Sequence, residues 1–230
     1  MTLTLIIGNK NYSSWSFRPW IAMTVADIPF VERLVSFDSP DFKRHAAAGW
    51  ASGKVPVLID GDLVVWESLA ILEYLAERFP EGGLWPGDRI ARAYARAIAH
   101  EMHAGFQPLR RHLPMNMWRP VIARTLPADV AVDVARIEML WRNCRRRFGE
   151  RDASGAPFLF GRFCAADAMY APVVSRLSTY AVGVADDTRA YMEAVMALPA
   201  WRAWRAAALQ ETSVVAEDEV DWPTVIRVDG

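Results

Sequence analysis

An α/β unit of order βαβαββα followed by an all-helical remainder is the fold class this sequence predicts. Three observations predict it. Short apolar runs bounded by turn residues are confined to the first 66 positions, and an Asp-Gly turn sits between two β-branched runs at 55–66. After Pro86-Gly87-Asp88, apolar residues recur only at three- and four-residue steps. The boundary is expected near residues 81–88, giving domains 1–81 and 88–230, and 230 residues suit two small cores.

Residues 3–7, Leu-Thr-Leu-Ile-Ile, read as a buried strand ending at Gly8. Ser13, Ser14 and Ser16 are helix-capping types placed before Pro19, which is expected in a first helical turn; Ile28-Pro29 closes that helix. Phe30–Phe37 reads as a second strand and Asp41–Ala48 as a short helix. Val55–Ile59 and Leu63–Trp66 flank Asp60-Gly61-Asp62 as a hairpin. Leu69, Leu72, Leu75, Ala76 and Phe79 then mark an amphipathic helix opened by Glu67-Ser68 and stopped by Pro80. Helices are expected at about Arg89–Gly105, Ala128–Arg147, Ala165–Tyr180, Asp187–Met196 and Pro199–Leu209, with Glu217–Gly230 as an acidic, loosely held tail.

Composition narrows the function classes. A hydrophobic share of 53% with ten Trp and ten Phe describes a folded chain. Its 26 basic and 27 acidic residues offer no field of one sign, so neither nucleic acid nor an anionic membrane is an expected partner. The start lacks a basic leader before its apolar run, and no stretch approaches the roughly 18–20 apolar residues of a bilayer span. Cys144 and Cys164, far apart and without redox or zinc spacing, fit reduced thiols in a cytoplasmic protein. His100 and His103 share a helical face but lack a third ligand, so no metal is expected.

The βαβαββα order, Val55-Pro56 opening the hairpin, Glu67-Ser68 opening the next helix and the helical remainder together resemble the cytosolic glutathione transferases. Ser13-Ser14-Trp15-Ser16-Phe17-Arg18 is similar to the serine motif of their zeta class, and Phe163-Cys164-Ala165-Ala166-Asp167 resembles the capping motif of their helical domain. Trp15 stands where the zeta class has Cys, and Cys164 where the capping motif has Ser or Thr. The resemblance implies a thioredoxin-like glutathione-binding domain, an all-α second-substrate domain and a homodimer.

Glutathione as co-substrate must react as a thiolate, whereas an ordinary thiol with a pKa near 8.5 is mostly protonated at neutral pH. A serine hydroxyl at a helix N-terminus, donating to sulfur where the dipole adds positive potential, favours the anion. The resemblance assigns this role to Ser13, with Ser14 second because a one-residue register shift exchanges them; taken alone, both serines read equally as helix caps. It further implies a cis Val55-Pro56 bond that turns the Val55 backbone toward the tripeptide. Glu67 and Ser68 would hold the γ-glutamyl end, or simply cap their helix; Lys54, and less strongly His45, would reach the glycyl carboxylate; and Trp15 would border the tripeptide.

His103, Phe106, Leu109, Arg110, Arg111, Met115 and Trp118 are candidates for the mouth of a hydrophobic electrophile site, and equally for helix packing. Tyr170 and Arg176 reach the same cleft only if they face inward. Asp167 reads as structural, its loss costing about 0.5–2 kcal/mol as a helix cap. Conjugation of a hydrophobic electrophile is the leading activity. Glutathione-dependent isomerisation of a diketo acid, as in maleylacetoacetate isomerase, is the nearest rival, with Arg110 or Arg111 on its carboxylates. A cysteine-based reductase lacks its cysteine at the helix start, and a non-catalytic carrier on the same fold is the remaining alternative.

Overall fold

The computed structural model describes residues 2–35, 53–152 and 154–228. Strands β1 (Leu3–Ile7), β2 (Phe30–Leu34), β3 (Val57–Asp60) and β4 (Leu63–Trp66) form one mixed sheet in the order β2-β1-β3-β4. β1 runs parallel to β2, with Leu3 opposite Phe30, and antiparallel to β3, with Leu5 opposite Leu58. β1 is interior to the sheet, and apart from the half-buried Thr4 its run is apolar and buried on both faces. Leu3, Leu5 and Ile7 join the main core, while Ile6 packs on the other face with Val35, Val55 and Val57. The hairpin pairs Asp60 with Leu63, and Gly61 supplies the left-handed residue of its turn at φ 60°.

Helix α1 (Ser14–Val25) connects β1 to β2, and α2 (Ser68–Arg78) follows the hairpin. With α1 starting at Ser14, Pro19 lies in its interior and not in the first turn as expected. A proline there removes one backbone bond, at roughly 3 kcal/mol. Burial sustains the helix through it: Phe17 stacks on Trp204 at 4.8 Å between centroids, and Trp20 meets the same ring at 5.1 Å. The expected helix at 41–48, with His45, lies outside the described residues.

Helices α3 (Arg89–Ala104), α4 (Gln107–His112), α5 (Ala128–Arg147), α6 (Ala165–Thr179), α7 (Asp186–Ala197) and α8 (Pro199–Leu209) make up the rest. Every residue of α6 from Ala165 to Leu177 is buried, as befits a central helix that is mostly apolar all round. Asp167 opens it, accepting from Cys164 N at 2.9 Å, Leu159 N at 3.0 Å and the Tyr191 hydroxyl at 3.0 Å. The short helix α4 was not anticipated. It is set off from α3 by Phe106 in the left-handed region, φ 60°, where a periodicity argument sees one continuing pattern.

The end of the chain corrects the expectation of a loose tail. Glu219 is 4% exposed, accepting from the Tyr12 hydroxyl at 2.5 Å and Asn116 Nδ2 at 2.9 Å. Asp221 pairs with Arg119 at 2.6 Å, and Val228 N donates to Trp118 O at 2.7 Å. Two of the acidic residues that suggested solvation, Glu219 and Asp221, have polar partners far upstream.

Candidate functional site

The loop after β1 delivers the serines to the N-terminus of α1. Ser13 is the N-cap, its Oγ accepting from Ser16 N at 3.3 Å and lying 2.8 Å from Ser16 Oγ, which itself accepts from Gly8 N at 3.1 Å. Ser13 Oγ is the donor in that pair of hydroxyls; exchanging their donor roles, so that Ser16 donates to Ser13 Oγ, frees the Ser13 proton to donate outward. Ser14 Oγ accepts from Arg176 Nη2 at 3.2 Å, so its proton is also unclaimed by that bond. Both serines are buried, at 5% and 6% exposure.

Across from α1, a cavity of about 130 Å³ is lined by Trp15, Lys54, Val55, Pro56, Glu67 and Ser68, the six residues expected to border the tripeptide. The Val55-Pro56 bond is cis. Ser68, in the first turn of α2, has a buried Oγ with no hydrogen-bond partner among the described residues. An unpaired buried hydroxyl is costly, and at a helix N-terminus it is placed to meet an anionic ligand. Its neighbour Glu67 holds φ 69°, a strained region for a residue with a Cβ, and makes no capping bond to α2. The Glu67 carboxylate instead lies 3.8 Å from His103 Nε2.

Trp15 is clamped between cations. The Arg18 guanidinium lies 4.1 Å from its ring centroid and that of Arg110 4.8 Å, with His103 edge-on at 5.3 Å. Arg110 is anchored by the carbonyls of Gly105 and Met102. Arg176 donates to Leu113 O at 2.5 Å and Arg110 O at 3.3 Å. Burial lowers Arg110 to about 10, and burial together with the Arg110 charge lowers Arg176 to about 10, so both stay cationic at neutral pH. Burial, then the Arg18 charge, lowers His103 and favours its neutral form. Arg18 is fully buried, and none of its three guanidinium nitrogens has a partner among the described residues.

The other candidates divide. Phe106 is buried at the α3–α4 turn, and Arg111 is exposed. Phe106, Leu109 and Met115 all belong to the main core, Trp118 is buried with its indole donating to Ala208 O, and none of the four lines the cavity. Tyr170 donates to Ile98 O and is buried. Sequence reasoning gave Arg18 no role; its signal was a cation four residues after Ser14 on an otherwise apolar helix. Among the described residues, no group of three His, Cys, Asp or Glu side chains is arranged for a metal. A roomier cleft of about 620 Å³, between residues 83–91 and 147–164, holds none of the motif residues except Cys164.

The glutathione S-transferase N-terminal domain model matches residues 12–78, the stretch that carries the serines, the cis proline and Glu67-Ser68. A probable maleylacetoacetate isomerase of Caenorhabditis elegans is 38% identical over 97 residues, covering 42% of this chain and 45% of that protein. Glutathione S-transferase 1 of Dianthus caryophyllus is 34% identical over 109 residues, covering 45% and 48%. The chain thus spans about half the length of the curated relatives it matches. Among solved structures, a Burkholderia glutathione transferase homologue with bound glutathione superposes at a TM-score of 0.67 with 21% identity, covering 90% of this chain and 98% of that one. Maleyl pyruvate isomerase, a bacterial zeta-class glutathione S-transferase, superposes at 0.67 with 22% identity, covering 91% and 100%. The structural likeness shows a common fold.

Proposed function

Because the chain belongs to the cytosolic glutathione transferase superfamily, on its zeta-like side, we propose that it activates the glutathione thiol for attack on a hydrophobic electrophile. The observation that carries this reading is the cavity bordered by Ser68, whose buried hydroxyl lacks a partner among the described residues, beside the serine-capped start of α1. Ser68 Oγ and the α2 N-terminus hold the γ-glutamyl carboxylate, Glu67 accepts from its ammonium, and Lys54 reaches the glycyl carboxylate. Ser13 donates to the sulfur and Ser14, polarised by Arg176, stands beside it. The α1 dipole and the Arg110 and Arg176 charges favour the anion, each pKa unit being worth about 1.4 kcal/mol. The thiol proton leaves to solvent, and the thiolate sulfur forms a bond to an electrophilic carbon while that carbon's bond to its leaving group, a halide in the case of an aryl halide, breaks and the halide departs to solvent.

Residues 1–81 form the glutathione domain in this reading and 88–230 the second-substrate domain, with His103, Phe106, Arg110 and Arg111 nearest the electrophile. A cytoplasmic homodimer is the expected state. Both cysteines are free and buried, no described helix is long and apolar enough to cross a membrane, and Leu63, Val64 and Trp66 of β4 are exposed for a second copy to cover. Sedimentation at micromolar concentration checks the dimer.

One observation favours the isomerase alternative: Arg18, Arg110 and Arg176 gather around Trp15 and Ser14, as a dicarboxylate substrate requires. Rates with an activated aryl halide and with a cis-unsaturated diketo acid separate the two readings. Ser13→Ala tests the shared step. Turnover is expected to fall about 100-fold with glutathione affinity largely retained; unchanged turnover and unchanged thiol ionisation would overturn the serine assignment, and wild-type glutathione binding without any turnover would favour a carrier.

A further inference from the structure

We propose that residues 211–228 are a positioning strap that sets the aim of the Ser13 hydroxyl, with Glu211 and Glu219 as its two clasps; this rests on the reading of Ser13 as the thiol's partner. Within the loop from Asn9 to Tyr12 and its junction with α1, Tyr12 N donates to Asn9 O at 3.3 Å, Ser13 N to Asn9 O at 2.8 Å and Ser14 N to Tyr12 O at 2.8 Å. The backbone N–H and C=O groups of Lys10 and Asn11 are answered by residues more than a hundred positions later. Glu211 takes Lys10 N on one carboxylate oxygen at 2.7 Å and Asn11 N on the other at 3.0 Å. Trp204 Nε1 donates to Lys10 O at 2.9 Å, and Met117 N to Asn11 O at 3.4 Å.

The side chains repeat the pattern. Tyr12 donates to Glu219 Oε1 at 2.5 Å, and Asn116 Nδ2 to the same oxygen at 2.9 Å. Asn11 Nδ2 donates to Asn116 Oδ1 at 3.2 Å, while Asn11 Oδ1 accepts from Trp118 N at 2.8 Å. Tyr12, Asn11, Asn116 and Glu219 are all buried, so the network is shielded and each member is costly to unpair. Further along, Arg227 lies over the Trp118 ring at 3.6 Å and Val228 N closes on Trp118 O. Tyr12 is covalently next to Ser13. A clasp that moves Tyr12 therefore moves the serine hydroxyl, and a misplacement near 1 Å can cost as much as 10²-fold in rate.

The test uses the full chain with Glu219→Leu, Glu219→Gln and Tyr12→Phe, reading the pH dependence of bound thiolate by ultraviolet absorbance beside turnover. Glu219→Leu is expected to raise the pKa of bound glutathione by about one unit and lower kcat/KM about 10-fold at neutral pH, with KM for glutathione within about twofold. Activity should recover at high pH, and Glu219→Gln, which keeps an acceptor, should restore most of it. Should Glu219→Leu fail to fold, Tyr12→Phe, which deletes one hydroxyl, is expected to shift the thiol pKa in the same direction by less. A wild-type thiol pH profile in the folded variants overturns the strap. If Ser13→Ala abolishes thiol ionisation while the strap variants do not change it, only the strap falls; if Ser13→Ala leaves ionisation unchanged, the serine reading falls first.

Discussion

Asp167 offers the sharpest test of the packing argument, through Asp167→Ala measured across pH. The wild-type carboxyl is fully buried and takes three hydrogen bonds, from Leu159 N, Cys164 N and Tyr191 Oη. Its removal leaves two buried backbone donors unpaired, each costing about 1–3 kcal/mol, so the variant should lose about 2–6 kcal/mol where the carboxyl is neutral. Burial raises the Asp167 pKa from the ordinary 3.8 to about 6, the hydrogen bonds opposing it. A carboxyl raised in the folded state gives its full stabilisation below pH 3.8 and loses it as pH climbs through about 6. At 1.36 kcal/mol per unit, the gap between wild type and variant should narrow by about 2.4 kcal/mol from pH 4 to pH 7. Urea denaturation followed by circular dichroism at both pH values measures it, and the difference between the two proteins isolates this group from the other acids. A gap that widens toward pH 7 refutes the reasoning, since it would mean the hydrogen bonds outweigh burial.

Other expectations follow from unpaired or crowded groups. Arg18→Met should raise the unfolding free energy of the ligand-free protein by about 1–3 kcal/mol, because a buried guanidinium with no acceptor among the described residues gives way to an apolar chain of similar length; a lower Tm would show that Arg18 has an anionic partner in solution. Ser68→Ala should weaken glutathione binding about 5- to 10-fold by calorimetry while leaving Tm within a degree or two, since the hydroxyl has no partner to lose among the described residues. Gly105→Ala would bring a Cβ within 2.8 Å of Glu101 O, the carbonyl that Gly105 N itself bonds; about 1–3 kcal/mol of stability should go, and turnover with it, because this turn carries Arg110.

What the sequence disclosed, and what it hid, follows from the range of the interactions. The α1 N-cap, the hairpin and the Glu67-Ser68 start of α2 are decided by neighbours within four or five residues, so residue type and spacing were enough to place them. The same locality misplaced Pro19: a proline after serines reads as a first turn, and only the burial of Phe17 and Trp20 against Trp204 sustains a helix around it. Glu67 in the left-handed region has no sequence signal at all, since that conformation is usually announced by Gly or Asn. The tail fails for the opposite reason. Glu217 to Asp221 look solvated because acids usually are, and nothing near them in sequence says that Tyr12, Asn116 and Arg119 wait some hundred to two hundred positions upstream. Asp167 was legible as a cap but not as a partner of Leu159 and Tyr191, which is why its structural weight exceeds that of a helix start alone. In the proposed reading, the residues that set the chemistry are written locally, while those that aim them are supplied from the far end of the chain. Substitutions in 211–228 should then disturb thiol ionisation more than their distance in sequence from Ser13 suggests.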